Sequence, residues 1–79
     1  MGYHLKEIIK GEIGSFSKIK EEFMELEDAV EQKDVVLILC ELSDLLGAVE
    51  SYTERWNISI KDLKNFSDKT KSAFKEGKR

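Results

Sequence analysis

Two short acidic runs carry the residues best suited to chemistry. Glu21, Glu22 and Glu25 form a Glu-Glu-x-x-Glu run, and Glu41 and Asp44 form a Glu-x-x-Asp run further along. A helix turns about 100° per residue, so residues three apart share a face. On helices, Glu22 neighbours Glu25 and Glu41 neighbours Asp44. Hard carboxylate oxygens are what Mg²⁺ takes, and the ion commonly keeps waters and binds phosphates as well. The second pair is the more informative. It shares its sector with Leu37 and Ala48 and is flanked by Leu45 and Tyr52. An ionised carboxylate buried there without a partner is costly, and two of them repel. A divalent cation relieves both problems, and so does a buried salt bridge to Lys or Arg. Residue type and spacing leave both open. Antiparallel packing of the two helices would bring Glu22, Glu25, Glu41 and Asp44 together. By composition alone, the helix-one acids better suit a solvated face.

The elements that must position these acids are legible in the hydrophobic pattern. Phe16, Ile19, Phe23, Leu26 and Val30 fall at spacings of three and four, which predicts a helix over about 16–31. Ser15 or Ser17 caps it. Asp34 caps a second helix over about 35–55. Val35 to Leu39, Cys40, Leu42, Leu45, Leu46, Ala48, Val49 and Tyr52 cover almost its whole circumference. A helix apolar all round must be surrounded, so we expect it to pack against a second copy of the chain. Ser59 caps a third helix over about 60–76, with Ile60, Leu63, Phe66, Ala73 and Phe74 on its apolar stripe and Gly77 beyond its end. The expected fold is all-α: a three-helix subunit assembling into a dimeric or tetrameric bundle. Residues 1–14 form an irregular segment broken at Gly11 and Gly14, and residues 15–79 form the single domain. Leu5, Ile8 and Ile9 are expected to pack on the body. The sequence assigns the segment no role.

Composition narrows the function classes. A chain of 79 residues fits one domain, and a domain this small buries only about 60% of its unfolded surface. Cys40 is the sole cysteine, which fits a reducing compartment and a place in the core. No apolar run approaches the roughly 20 residues of a membrane span, and the charged first ten residues argue against a signal peptide. We expect a cytoplasmic protein without a membrane partner. The net charge is −3, which speaks against nucleic acid, since a binder needs a basic face. The charge is split: 21–31 is acidic and 61–79 is basic. Lys64, Lys71, Lys75 and Lys78 point away from the third helix's apolar stripe, but Lys69 flanks it with Asn65 one turn before. A lysine and an amide so placed could reach phosphate, sugar or base, although spacing alone favours a surface role. Lys18 lies one turn before Glu22, the spacing of a surface ion pair. His4, the sole histidine, has no companion nucleophile in the sequence. There is no Gly-x-x-x-x-Gly-Lys phosphate loop.

The two acidic motifs together resemble the signature of the MazG-like, all-α nucleoside triphosphate pyrophosphohydrolases. Ser17-Lys18-Ile19 before the paired glutamates, Asp28-Ala29, Glu41-Leu42-Ser43-Asp44-Leu45-Leu46-Gly47-Ala48 and Ala73-Phe74-x-x-Gly77-x-Arg79 extend the likeness toward the short single-domain members often found in bacteriophages. It covers about residues 11–79. The resemblance implies a helical dimer or tetramer that hydrolyses the bond between the α and β phosphates. It implies Mg²⁺, with Mn²⁺ as an alternative ion, on Glu22, Glu25, Glu41 and Asp44. Glu21 and Glu22 take the catalytic roles, Glu21 as a further ligand or as the residue orienting water. Lys69, Asn65 and Lys18 are the expected substrate contacts. Such hydrolysis needs polarised phosphoryl oxygens, an activated water and a lysine on the leaving pyrophosphate, and no covalent intermediate. The competing class is a non-enzymatic helical dimer module, which the apolar second helix and the split charge would serve equally.

Overall fold

The computed structural model describes residues 4–78, so residues 1–3 of the N-terminal segment and Arg79 lie outside the described residues. The chain is all-helical. It comprises α1 (Phe16–Gln32), α2 (Val35–Thr53) and α3 (Ile60–Lys75), with a 3₁₀ turn over Glu54–Trp56 extending α2. No strand occurs among the described residues. The Asp34 carboxylate accepts the Leu37 N–H at the start of α2, and the Ser59 hydroxyl accepts the Asp62 N–H at the start of α3. Ser15 is the N-cap of α1, but its hydroxyl donates to the Glu12 carbonyl instead of capping the helix.

A two-residue connection sets α1 and α2 antiparallel. Lys33 takes the left-handed conformation (φ 57°), and its N–H closes on the Ala29 and Val30 carbonyls. The chain can then reverse at once into the Asp34 cap. The seam between the helices is unusual. α1 buries Glu21, Glu22, Asp28 and Ala29, and α2 buries Leu37, Glu41, Ala48 and Thr53. Among the described residues only Ala29, Leu37 and Ala48 form a buried apolar core. Much of the α1 stripe faces out in this chain: Ile19 and Leu26 are half-buried, while Phe16, Phe23 and Val30 are exposed. So are Val35, Val36, Leu39, Leu42 and Leu46 of α2, and Cys40, which composition placed in the core. The cause is geometric, because one neighbouring helix covers one sector and α2 is apolar on nearly all of them. α3 does not fill the gap. None of its residues is buried, and Phe66 and Phe74 are exposed.

Residues 4–14 form a strap along α1, held mainly by polar bonds; of the three apolar side chains expected to pack, Ile8 alone is half-buried. Leu5 and Ile9 are exposed. Instead Asp28 accepts the Leu5 N–H at 3.1 Å and His4 Nδ1 at 2.9 Å, while Glu21 accepts the Gly11 N–H at 2.8 Å. Lys6 pairs with Glu31, and Arg55 Nε reaches the Gly14 carbonyl at 3.0 Å. Gly11 is where the strap comes closest to α1. A Cβ there would stand 2.2 Å from the Ser17 carbonyl oxygen and 2.6 Å from the Lys18 nitrogen, both backbone atoms that cannot swing away. Gly11→Ala should therefore cost about 1–3 kcal/mol of stability. Amides 5–11 should exchange faster by hydrogen-exchange mass spectrometry, with α2 left protected. Unchanged exchange in the strap would contradict this account.

Candidate metal centre

Four of the five acids singled out by spacing converge across the α1–α2 seam. One carboxylate oxygen each from Glu22, Glu25, Glu41 and Asp44 lies within 4.8 Å of all the others. Glu22 and Glu25 come from successive turns of α1, Glu41 and Asp44 from successive turns of α2, and the antiparallel hairpin sets the two pairs face to face. Glu41 lies deepest, at 0% exposure, and neither of its oxygens has a hydrogen-bond partner among the described residues. Glu22 Oε2 is likewise buried without a partner. Asp44 is exposed at the mouth. Octahedral Mg²⁺ at about 2.1 Å from each oxygen spaces its ligands about 3–4.2 Å apart. The cluster needs only a small contraction to match, so the residues fit such an ion.

Glu21, the fifth acid, is not part of the cluster. Its carboxylate accepts the Gly11 N–H and lies 3.2 Å from Lys18 Nζ and 3.6 Å from Lys10 Nζ. Its position anchors the strap. Lys18 also stands 3.1 Å from Glu22 Oε1, beside the cluster. In front of Glu22 and Asp44 opens a cavity of about 430 Å³, walled by Ile13, Lys18, Ser43, Gly47, Ala48 and Ser51. That volume falls within the roughly 300–1,000 Å³ of small-molecule sites. Gly47 sits mid-helix, where glycine costs about 1 kcal/mol against alanine. A Cβ there would meet nothing within 4 Å, so no packing within the chain accounts for the glycine. It leaves bare backbone one turn from Asp44. Lys69 and Asn65 are exposed on α3 and do not line this cavity, and Lys69 Nζ lies 5.7 Å from the centre of the Phe66 ring.

Two participants carry no role in the sequence reading. His4 reaches in from the strap, with Nε2 3.3 Å from Glu41 Oε2 and 4.0 Å from Glu25 Oε2. Asp28 holds its other nitrogen. No periodicity links an irregular segment to a helix, so the only available signal was that His4 is the sole histidine of the chain. Asp28 stands out in the sequence only with Ala29, as part of the family likeness, and carries no assigned role there.

The electrostatics divide the acids into two kinds. Burial pushes Glu25 above the ordinary carboxylate range, and Glu41 beside it adds to the shift. Burial also raises Glu22, against the opposing pull of Lys18. Glu21 and Asp28 are buried too, but hydrogen bonds outweigh desolvation and lower both: Gly11 and Lys18 on Glu21, His4, Leu5 and Gln32 on Asp28. Burial alone would lower His4, yet its bond to Asp28 and the charges of Glu41 and Glu25 hold it above its ordinary value.

Comparison with models of protein families, with curated proteins and with solved structures finds no match.

The two kinds of acid should titrate stability in opposite senses. A raised carboxylate favours folding when protonated, so its stabilising effect is lost as pH rises through the folded value. A lowered one favours folding when ionised, and its effect is lost as pH falls. Metal-free Glu25→Gln should therefore melt several degrees higher than the parent chain at pH 7, with the gain vanishing in acid. Metal-free Asp28→Asn should melt lower at pH 7, and that gap should close as pH falls. Calorimetric scans across pH check both. Glu25→Gln melting below the parent at pH 7 would contradict the assignment.

Proposed function

We propose that this chain is a nucleoside triphosphate pyrophosphohydrolase of the MazG-like kind. It would be a Mg²⁺-dependent enzyme, with Mn²⁺ as an alternative ion, cutting between the α and β phosphates to release the nucleoside monophosphate and pyrophosphate. The observation that carries this reading is the Glu41 carboxylate, wholly buried without a hydrogen bond at the centre of three other acids. A structural salt bridge is the competing explanation for buried acids. Among the described residues no lysine or arginine pairs with Glu41 or Asp44, and Lys18 reaches only Glu21 and Glu22.

In this reading Glu22, Glu25, Glu41 and Asp44 hold the ion. When bound, a divalent ion neutralises phosphate oxygens and makes water a better nucleophile. Glu22 would hold the ion through its unpartnered oxygen, and its other oxygen, beside Lys18, would take the proton of the attacking water. Lys18 stands at the cavity wall, where its ammonium neutralises the departing pyrophosphate. Glu21 acts one step removed, by fixing Lys18 and the strap. The Ser43 and Ser51 hydroxyls and the bare Gly47 backbone leave room and donors for phosphate and sugar. Lys69 and Asn65 lie outside this cavity and take no part in this reading of the site. The exposed apolar faces of α1 and α2 belong to a homodimer or a pair of dimers. The reading places the protein in the cytoplasm with its substrate, without nucleic-acid or membrane partners. No helix among the described residues is long and apolar enough to cross a membrane.

Anion-exchange chromatography of reactions with a panel of ribo- and deoxynucleoside triphosphates tests the chemistry. Monophosphate plus pyrophosphate should form with Mg²⁺. Turnover should stop with chelator and fall more than ~100-fold in Glu41→Gln and Asp44→Asn, a larger loss than indirect metal contacts carry. Diphosphate plus phosphate would overturn the bond assignment. A folded, metal-loaded protein without turnover would favour the interaction module, which the exposed apolar faces also suit. Sedimentation equilibrium should give at least twice the 9.1 kDa chain mass, and Leu39→Lys should lower it. A stable monomer would contradict the assembly.

A further inference from the structure

The acids form two overlapping groups rather than one. Glu22, Glu25, Glu41 and Asp44 present only oxygen, whereas His4, Glu25 and Glu41 present one nitrogen and two oxygens, again all within 4.8 Å of one another. Glu25 and Glu41 belong to both groups, as bridging carboxylates do in sites that hold two ions. The His4 side chain is only 8% exposed. Its Nδ1 is spent on Asp28, since a carboxylate can only accept and the ring must donate there. Asp28 is itself fixed by the Leu5 N–H and by Gln32. The ring is thus locked in orientation and tautomer, with Nε2 facing Glu41 and Glu25. Nε2 has no hydrogen-bond partner among the described residues, because its 3.3 Å approach to Glu41 is not aligned as a hydrogen bond. A carboxylate holding the far nitrogen of an imidazole, whose near nitrogen looks into a cluster of donors, is the arrangement that orients metal-ligating histidines.

We propose that His4 Nε2, Glu25 and Glu41 form a second cation subsite beside the all-carboxylate one, and that it takes a transition-metal ion such as Mn²⁺ in preference to Mg²⁺. Imidazole suits first-row transition ions, while all-oxygen donor sets suit Mg²⁺, so one nitrogen makes the two subsites differ in taste. Asp28 is the positioning residue of this subsite. The strap thereby gains a function, because its bonds to Asp28 and Glu21 deliver the one ligand that the helices do not carry. The inference rests on the reading that the acids hold a cation, and the test separates the two.

The test is pulsed electron paramagnetic resonance on the full chain loaded with Mn²⁺, alongside titration of free Mn²⁺ and of Mg²⁺. His4 is the sole histidine, so imidazole nitrogen coupling to bound Mn²⁺ identifies it without mutation. The expected result is ¹⁴N modulation that changes on ¹⁵N labelling of histidine and disappears in His4→Gln. His4→Gln should weaken Mn²⁺ more than ~10-fold and Mg²⁺ less than about threefold. Asp28→Asn, which keeps the ligand but frees its ring, should weaken Mn²⁺ by about 10–100-fold. Mn²⁺ bound without nitrogen modulation overturns this proposal and leaves the acid site standing. Tighter Mn²⁺ binding in His4→Gln also overturns it, by making His4 a competing counter-ion. No binding of either ion overturns the acid site itself.

Discussion

Glu41 is buried at the seam of two antiparallel helices, and neither of its oxygens is hydrogen-bonded. Three more carboxylates stand around it, and among the described residues the buried apolar core is only Ala29, Leu37 and Ala48. A seam built for stability alone would place leucines there, and replacing buried ionic groups by apolar ones of similar volume is often neutral or stabilising. Two nitrogen-bearing side chains stand against the cluster. Lys18 lies against Glu22, and His4 lies against Glu41 and Glu25. Neither satisfies the Glu41 oxygens. Most other features follow from this placement. The polar side of α1 is turned inward, the apolar sides are left facing out, and a strap is drawn across to meet the acids.

The outward apolar surface and the inward acids have one origin. α2 is apolar on nearly every sector, so the hairpin can bury only a fraction of it whichever face it chooses. The face chosen carries Leu37, Glu41 and Ala48. Ala29 and Ala48 are small, which lets the helices approach until the longer glutamates meet between them. Val35, Leu39, Leu42 and Leu46 remain at the surface in a row one turn apart. An exposed apolar row of that length marks an interaction face.

How much of this was legible in the sequence differs from residue to residue. The helices were legible because 3.6-residue periodicity, Asp34 and Ser59 are local signals. The convergence of Glu22, Glu25, Glu41 and Asp44 was legible because two helix pairs at i, i+3 spacing need only an antiparallel hairpin to meet. The direction of the α1 stripe was not, since Phe16, Phe23 and Val30 fix a face without saying which neighbour covers it. Glu21 was read with its neighbours as chemistry, but its carboxylate lies on the Gly11 amide, a partner ten residues away in an irregular segment. His4 was invisible for the same reason. Its meeting with Asp28 and Glu41 depends on the path of a strap held by single hydrogen bonds, and no periodic pattern encodes that path.

The central claim is that the acids at the α1–α2 seam exist to hold a cation. The most direct test is a crystal grown with Mn²⁺ and measured at the manganese absorption edge. The account predicts an anomalous peak between Glu41 and Asp44, about 2.1–2.2 Å from carboxylate oxygens of both helices. A well-ordered seam with no anomalous peak, and with Glu41 hydrogen-bonded to protein or water, would contradict it.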